Sequence, residues 1–308
     1  MDKLITILGP TAVGKTNLTL RLAKTFGSPV ISGDAYQVYR GLDIGSAKPS
    51  KEELAAVPHY LIDILEPHEP YSTALFQDQA QALIKEVNDK GQVPILSGGT
   101  GLYVQSLLEN YQFSKKDPNV SLRESLDRLY EEGGIEALRT YGDALAAKSH
   151  ISLNFRDKHR LYRAIELMEA GDYQALTQQT KEGLSYQGPV LGLRRDRKSL
   201  YDRINLRVDL MVQAGLFQEV EALLDAGLDK KVQSLKGIGY KEVLDYLMGD
   251  LSQETCIETI KQNTRRFAKR QMTWYKRMPY IQWIDIEEGM TDDDIYNLAL
   301  PLVEPLMK

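Results

Sequence analysis

The stretch Gly9-Pro10-Thr11-Ala12-Val13-Gly14-Lys15-Thr16 narrows the possible folds more than any other part of this chain. It satisfies G-x-x-x-x-G-K-[ST], a pattern that functions only between a strand and a helix. Both neighbours are present. Leu4-Ile5-Thr6-Ile7-Leu8 is short, apolar and β-rich, and beyond Gly14 the residues Leu18, Leu22 and Phe26 recur at spacing four, the buried stripe of a helix. In that setting glycines let backbone N–H groups converge on one point, and the helix N-terminus adds partial positive charge. Lys15 supplies a full charge to diphosphate oxygens, and the Thr16 hydroxyl can ligate Mg²⁺. Residues 9–16 are therefore expected to bind a di- or triphosphate.

The remaining pattern extends this into an α/β fold. Residues 29–32, 60–64 and 93–96 read as further strands. Ser72 or Thr73 can cap a helix running to Gly91, with Leu75, Phe76, Ala80, Leu83, Ile84 and Val87 on its inner side. Strands alternating with helices imply a P-loop NTPase-like, mostly parallel sheet with helices on both faces. Residues 114–186 are polar and helical, with breaks at Gly133-Gly134 and Gly171, and read as a mostly helical insert domain. The core is then 1–113 and 187–308. It resumes with strand character at Val190-Leu191-Gly192-Leu193 and turns helical after residue 199, with Leu200, Ile204, Val208, Met211 and Val212 on one face and Gly215 interrupting.

Composition excludes some classes. One cysteine, Cys256, rules out an intrachain disulfide and points to a reducing, cytoplasmic compartment. The apolar run at residues 4–8 is too short for a signal or membrane segment, so no membrane partner is expected. A formal net charge of −5 means that any nucleic-acid surface must be local. A candidate lies between Lys261 and Arg277, where seven Lys or Arg occur with no Asp or Glu. On a helix Arg266 would stack with Arg270 and Arg265 with Lys269, while Phe267, Trp274 and Met278 face inward. This face suits an RNA backbone, or is a solvated helix face. Arg194-Arg195-Asp196-Arg197-Lys198 is a second cluster open to the same two readings. His59, His68, His150 and His159 show no metal-ligand spacing.

The phosphate loop does not by itself choose the chemistry. A nucleotide hydrolase normally carries an acidic residue at the end of a second apolar strand, yet the strand at 93–96 ends in Ser97-Gly98-Gly99. That favours a transferase in which diphosphate leaves. Asp34 lies just past the second strand, where open α/β sheets place their ligands. It is either a turn residue or the group that takes a hydrogen bond or proton from the nucleophile, kept ionised by Lys15 and a bound metal.

Six stretches in order resemble the bacterial tRNA dimethylallyltransferase (tRNA isopentenyltransferase) family. They are the loop in its Gly-Pro-Thr-Ala form, residues 32–49, Pro58-His59-Tyr60-Leu61-Ile62-Asp63, Gly98-Gly99-Thr100-Gly101-Leu102-Tyr103, Ile238-Gly239-Tyr240-Lys241-Glu242, and residues 264–274. The resemblance implies transfer of a dimethylallyl group from dimethylallyl diphosphate to N6 of the adenine on the 3′ side of the tRNA anticodon. In that reading Asp34 receives or orients the N6 proton and Thr11 lines the reacting centre. Lys15, Thr16 with Mg²⁺, and either Arg203 or Arg207 stabilise the leaving diphosphate. Asp34, Ala35, Tyr36, Gln37 and Thr100 would line the channel for the flipped base. Arg123, His159, Arg160, Arg163, Lys236, Gly239, Tyr240, Arg266 and Arg270 would lie near the RNA, with the insert clamping the anticodon stem-loop. Many members carry serine where this chain has Ala35, and the zinc finger of eukaryotic relatives is absent from these residues. A monomer is expected. The competing readings are a small-molecule kinase with the insert as a lid, a cytokinin-type prenyltransferase acting on free adenine nucleotides, and an ATP-gated RNA-binding module.

Overall fold

The computed structural model describes residues 1–114, 119–148, 157–173 and 183–308. These residues form two compact units, Met1–Glu109 with Gly183–Lys308, and Asn110–Glu182.

The first unit is built on a six-stranded sheet: β1 (Ile5–Leu8), β2 (Val30–Ser32), β3 (His59–Tyr60), β4 (Ile95–Gly98), β5 (Val190–Arg195) and β6 (Gln282–Ile286). The spatial order is β3-β2-β4-β1-β5-β6 and every pairing is parallel. Parallel strands need crossovers, and here helices supply them: α1 (Lys15–Phe26), α2 (Lys51–Ala56), α3 (Thr73–Asp89) and α4 (Gly101–Leu108) before the second unit. Side chains alternate across the strands and build a core on each face. Leu8, Ile31 and Leu96 join one cluster with α3 and α4. Ile5, Ile7, Val30, Ile95, Leu191 and Leu193 join the other with Leu18 and Leu22 of α1.

In the second unit, α5 (Val120–Lys148) and α6 (Lys158–Glu169) pack around Leu126, Leu138, Leu161 and Ile165. α5 bends at Gly134, whose φ of 63° breaks the helical path, in line with the Gly-Gly break. The first unit then resumes with α7 (Arg197–Gln213), α8 (Leu216–Asp225), α9 (Tyr240–Leu247), α10 (Gln253–Tyr275) and α11 (Asp292–Met307).

Four local expectations need correction. The strand expected over 60–64 is confined to His59–Tyr60, because Leu61 (φ 61°) and Asp63 (φ 54°) take left-handed backbone that no strand accommodates. The strand expected at 93–96 begins two residues later, at Ile95, just after Pro94, which has no N–H for a ladder. The region after 199 is not wholly helical, since Gln282–Ile286 adds a parallel edge strand to β5. Leu75, expected on the inner side of α3, is exposed. His150 lies outside the described residues.

Candidate active site at the phosphate loop

The loop between β1 and α1 holds a shape its own sequence would not keep. Gly9 has φ 153°, and a Cβ there would stand 2.7 Å from the Leu193 carbonyl oxygen. Ala12, with φ 64°, occupies the left-handed region without being glycine, a strain of about 1–3 kcal/mol that persists only where the surroundings impose it. The surroundings do so through the loop carbonyls. Lys15 Nζ donates to the Gly9 and Pro10 carbonyls, both at 2.9 Å. Arg203 Nε donates to the Ala12 carbonyl at 2.9 Å and Arg195 Nε to that of Val13 at 3.1 Å. From α10, the buried amide of Gln271 accepts the Thr11 N–H at 3.0 Å and donates to the Gly99 carbonyl at 2.7 Å. Tyr275 OH also donates to Gly99, at 2.9 Å. One side chain of α10 therefore ties the phosphate loop to the end of β4.

Beside the loop lies a cleft partly open to solvent. Thr11, Lys15 and Thr16 form one wall, and Asp34, Arg207, Phe267 and Gln271 stand around the rest. The carboxyl ends of β2 and β4 supply its floor through Ser32, Ser97, Gly98 and Gly99, the ligand position of open parallel sheets.

Burial governs the charges here. It pushes the Lys15 ammonium down to about 7, with Arg207 acting in the same direction and Asp34 opposing. It raises the Asp34 carboxyl, against the N–H groups of Tyr36 and Gln37 and the cations Lys15 and Arg207. Lys15 does favour the ionised Asp34 carboxyl, as expected, although in the ligand-free cleft desolvation acts more strongly in the opposite direction. Burial also lowers Arg207, but a guanidinium stays charged at neutral pH. Asp34 Oδ1 accepts from Tyr36 N at 2.8 Å and Gln37 N at 3.3 Å. It is therefore both the turn residue and a carboxylate facing the cleft.

The chain is similar in sequence and fold to known proteins. The IPP transferase family model matches residues 37–278. The chain belongs to the IPP transferase family. A tRNA dimethylallyltransferase of Bacillus cereus (strain ATCC 10987 / NRS 248) is 40% identical over 296 residues, 96% of this chain and 93% of that protein. The crystal structure of a full-length tRNA isopentenylpyrophosphate transferase from Bacillus halodurans superposes with a TM-score of 0.74 at 40% identity, covering 99% of this chain and 98% of the other. A eukaryotic dimethylallyltransferase acting on tRNA gives a TM-score of 0.80 at 26% identity, covering 97% and 78%.

The cleft gathers Thr11, Lys15, Thr16, Asp34, Gln37 and Arg207 of the expected residues. It separates the two arginines that sequence left open. Arg207 lines the cleft, with Nη1 3.4 Å from Thr11 Oγ1, whereas Arg203 is exposed and braces the loop through the Ala12 carbonyl. Thr100 caps α4 beside the cleft rather than lining it. Gln37 is committed internally: Oε1 accepts from Ser32 Oγ at 2.8 Å, and Nε2 donates to the Ala47 and Ser46 carbonyls at 3.2 and 3.4 Å. The Tyr36 ring lies over Gly237. Tyr240, expected near the RNA, is 1% exposed, with its hydroxyl donated to Glu219, and Gly239 is buried with it. Lys236 alone of that group is exposed.

Arg123, His159, Arg160 and Arg163 belong to the second unit, where Arg123 and Arg163 both pair with the buried carboxylate of Glu166. The cluster at 194–198 is not a free basic patch. Arg194 pairs with Asp285, Arg195 braces the phosphate loop, and Arg197 covers the Tyr201 ring. On α10, Lys261 pairs with Asp209 and Arg265 donates to Asn205. Arg266, Lys269 and Arg270 are exposed and, among the described residues, form no salt bridge. The sequence reading missed Gln271 as a site residue. Its signal was its place in the 264–274 stretch, four positions after the inward-facing Phe267, which lines the same cleft.

Proposed function

We propose that this chain transfers the dimethylallyl group of dimethylallyl diphosphate to N6 of the adenine 3′-adjacent to a tRNA anticodon. The observation that supports it most is the meeting, in one cleft, of a phosphate loop with Lys15, a single carboxylate at Asp34, and the half-buried arginine Arg207. The diphosphate lies on residues 9–16, and Lys15 regains its proton as the anion arrives. The N6 lone pair attacks the allylic carbon, and the carbon–oxygen bond to diphosphate breaks with its electron pair leaving on oxygen. Arg207 and Lys15 meet the charge that grows there. The proton released from N6 passes to the ionised Asp34 carboxylate, whose raised affinity for protons makes it the better base.

Hard oxygen donors are what Mg²⁺ requires, and the Thr16 hydroxyl lines the cleft. Among the described residues no cluster of three or more His, Cys, Asp or Glu could hold a metal alone. Thr16 would therefore share the ion with substrate phosphates and water. When bound, Mg²⁺ would neutralise charge on the leaving diphosphate. The exposed cations of α10 supply the RNA-facing surface, and the helical unit Asn110–Glu182 acts as the clamp on the stem-loop. The protein works as a monomer in the cytoplasm, a compartment supported by its single cysteine and its tRNA substrate. No described helix is long and apolar enough to cross a membrane.

The test is a transfer assay with radiolabelled dimethylallyl diphosphate and Mg²⁺, offering unmodified tRNA, AMP and ATP in parallel. Label in tRNA, lost in Asp34→Ala, supports the reading. Label only in a free nucleotide moves the protein to the cytokinin-type reaction, and no transfer to any acceptor overturns prenyl transfer.

A further inference from the structure

The carboxylate of Glu219 lies outside the cleft yet gathers four donors. Its Oε2 accepts the N–H groups of Asp43 at 2.9 Å and Ile44 at 2.7 Å. Its Oε1 accepts the Gly45 N–H at 3.0 Å and the Tyr240 hydroxyl at 2.8 Å. That hydroxyl accepts the next N–H, of Ser46, at 3.1 Å. Four consecutive backbone donors are thus satisfied by one ion and one phenol. The approach is close enough to forbid a side chain at Gly45, where a Cβ would stand 2.4 Å from the Tyr240 ring.

The loop so held reaches the catalytic side. The carbonyls of Ser46 and Ala47 receive Gln37 Nε2, and the same two residues line the cleft. The Gln37 N–H in turn donates to Asp34 Oδ1. The path from Glu219 to Asp34 runs through hydrogen bonds joined by the backbone of loop 43–47 and by the Gln37 residue itself. It does not touch the phosphate loop.

We propose that Glu219 is a positioning residue for the acceptor half of the site: it sets the orientation of Asp34 through loop 43–47 and Gln37 and leaves the diphosphate half untouched. This rests on the prenyl-transfer reading above. A carboxylate offers two acceptor oxygens, while glutamine replaces one by an NH2 group that faces N–H donors. Glu219→Gln removes half of the acceptors with little change of volume.

The experiment measures wild type, Glu219→Gln, Gln37→Ala and the double variant for three quantities: kcat for transfer to tRNA, the Kd for inorganic pyrophosphate, and the melting temperature. Glu219→Gln should lower kcat at least tenfold with the pyrophosphate Kd changed less than twofold. The double variant should be no slower than about the worse single variant, because both act on one path. An unchanged kcat, a pyrophosphate Kd weakened in step with kcat, or multiplicative losses in the double variant would overturn the proposal. If Glu219→Gln melts too low to assay, Tyr240→Phe, which keeps the ring and removes one donor and the Ser46 contact, must show the same selective loss of kcat or the proposal fails. Absence of transfer by the wild type would instead refute the prenyl-transfer reading itself.

Discussion

Replacing each of the two arginines of α7 in turn separates their roles. Arg207 lines the cleft and lies 3.4 Å from the Thr11 hydroxyl. Arg203 is exposed and bonds only a neutral carbonyl of the loop. A unit charge about 4 Å from another interacts by roughly 4 kcal/mol at the effective dielectric of partly buried sites. Removing a preorganised donor from developing negative charge costs about 2.7–4 kcal/mol. Arg207→Ala should therefore lower kcat by about 10²–10³-fold. Arg207→Lys should recover only part, because an ammonium lacks the guanidinium fork. Arg203→Ala loses one hydrogen bond to a neutral acceptor, about 0.5–1.5 kcal/mol, and should cost roughly tenfold or less. Single-turnover transfer at saturating dimethylallyl diphosphate and tRNA reads the difference directly. A loss in Arg203→Ala equal to or greater than that in Arg207→Ala would refute the assignment.

Diphosphate binding should take up a proton at Lys15. Its pKa of about 7 in the free site rises when the anion binds, so affinity is at full strength below about pH 7 and falls, by up to about tenfold per pH unit, as pH rises toward the bound-state pKa. Calorimetry with inorganic pyrophosphate near pH 8, in buffers of different ionisation enthalpy, should show an uptake in the wild type that Lys15→Ala lacks. Gln271→Ala removes the buried bridge between Thr11 and Gly99. It should cost about 1–3 kcal/mol, read as a lower melting temperature, together with weaker pyrophosphate binding. Replacing Arg266 and Arg270 together by alanine should weaken tRNA binding and flatten its logarithmic salt slope by roughly 1.5, in proportion to two lost phosphate contacts. An unchanged slope would make that face structural only.

Much of the site was legible because its chemistry is local. The phosphate loop, its flanking strand and helix, and Asp34 at a strand end lie within residues 4–34, where spacing alone carries the meaning. The sheet was legible where strands alternate with helices. It was not at residues 60–64, whose β-like composition is overridden when Lys48 pairs with Asp63 and Arg40 binds the Asp63 carbonyl, holding a left-handed turn. Nor was it at Gln282–Ile286, where only one edge pairs with a neighbour and the apolar alternation is short. The distinction between Arg203 and Arg207 depends on how α7 packs against a loop nearly two hundred residues earlier, and no spacing encodes that. The same holds for Gln271, which reaches Thr11 across 260 residues. Tyr240 belongs to a family stretch that resembles an RNA-facing segment, yet its ring is needed to pack against Gly45.

Prenyl transfer alters one atom of one base, and mass spectrometry of the tRNA product identifies that atom. Unmodified tRNA is incubated with the protein, dimethylallyl diphosphate and Mg²⁺, cut into oligonucleotides, and then digested to nucleosides for mass spectrometry. N6-dimethylallyladenosine is expected in the fragment holding the adenine 3′ to the anticodon, with none after reaction with Asp34→Ala. A prenyl group at another atom or another position of the tRNA would contradict the proposed transfer.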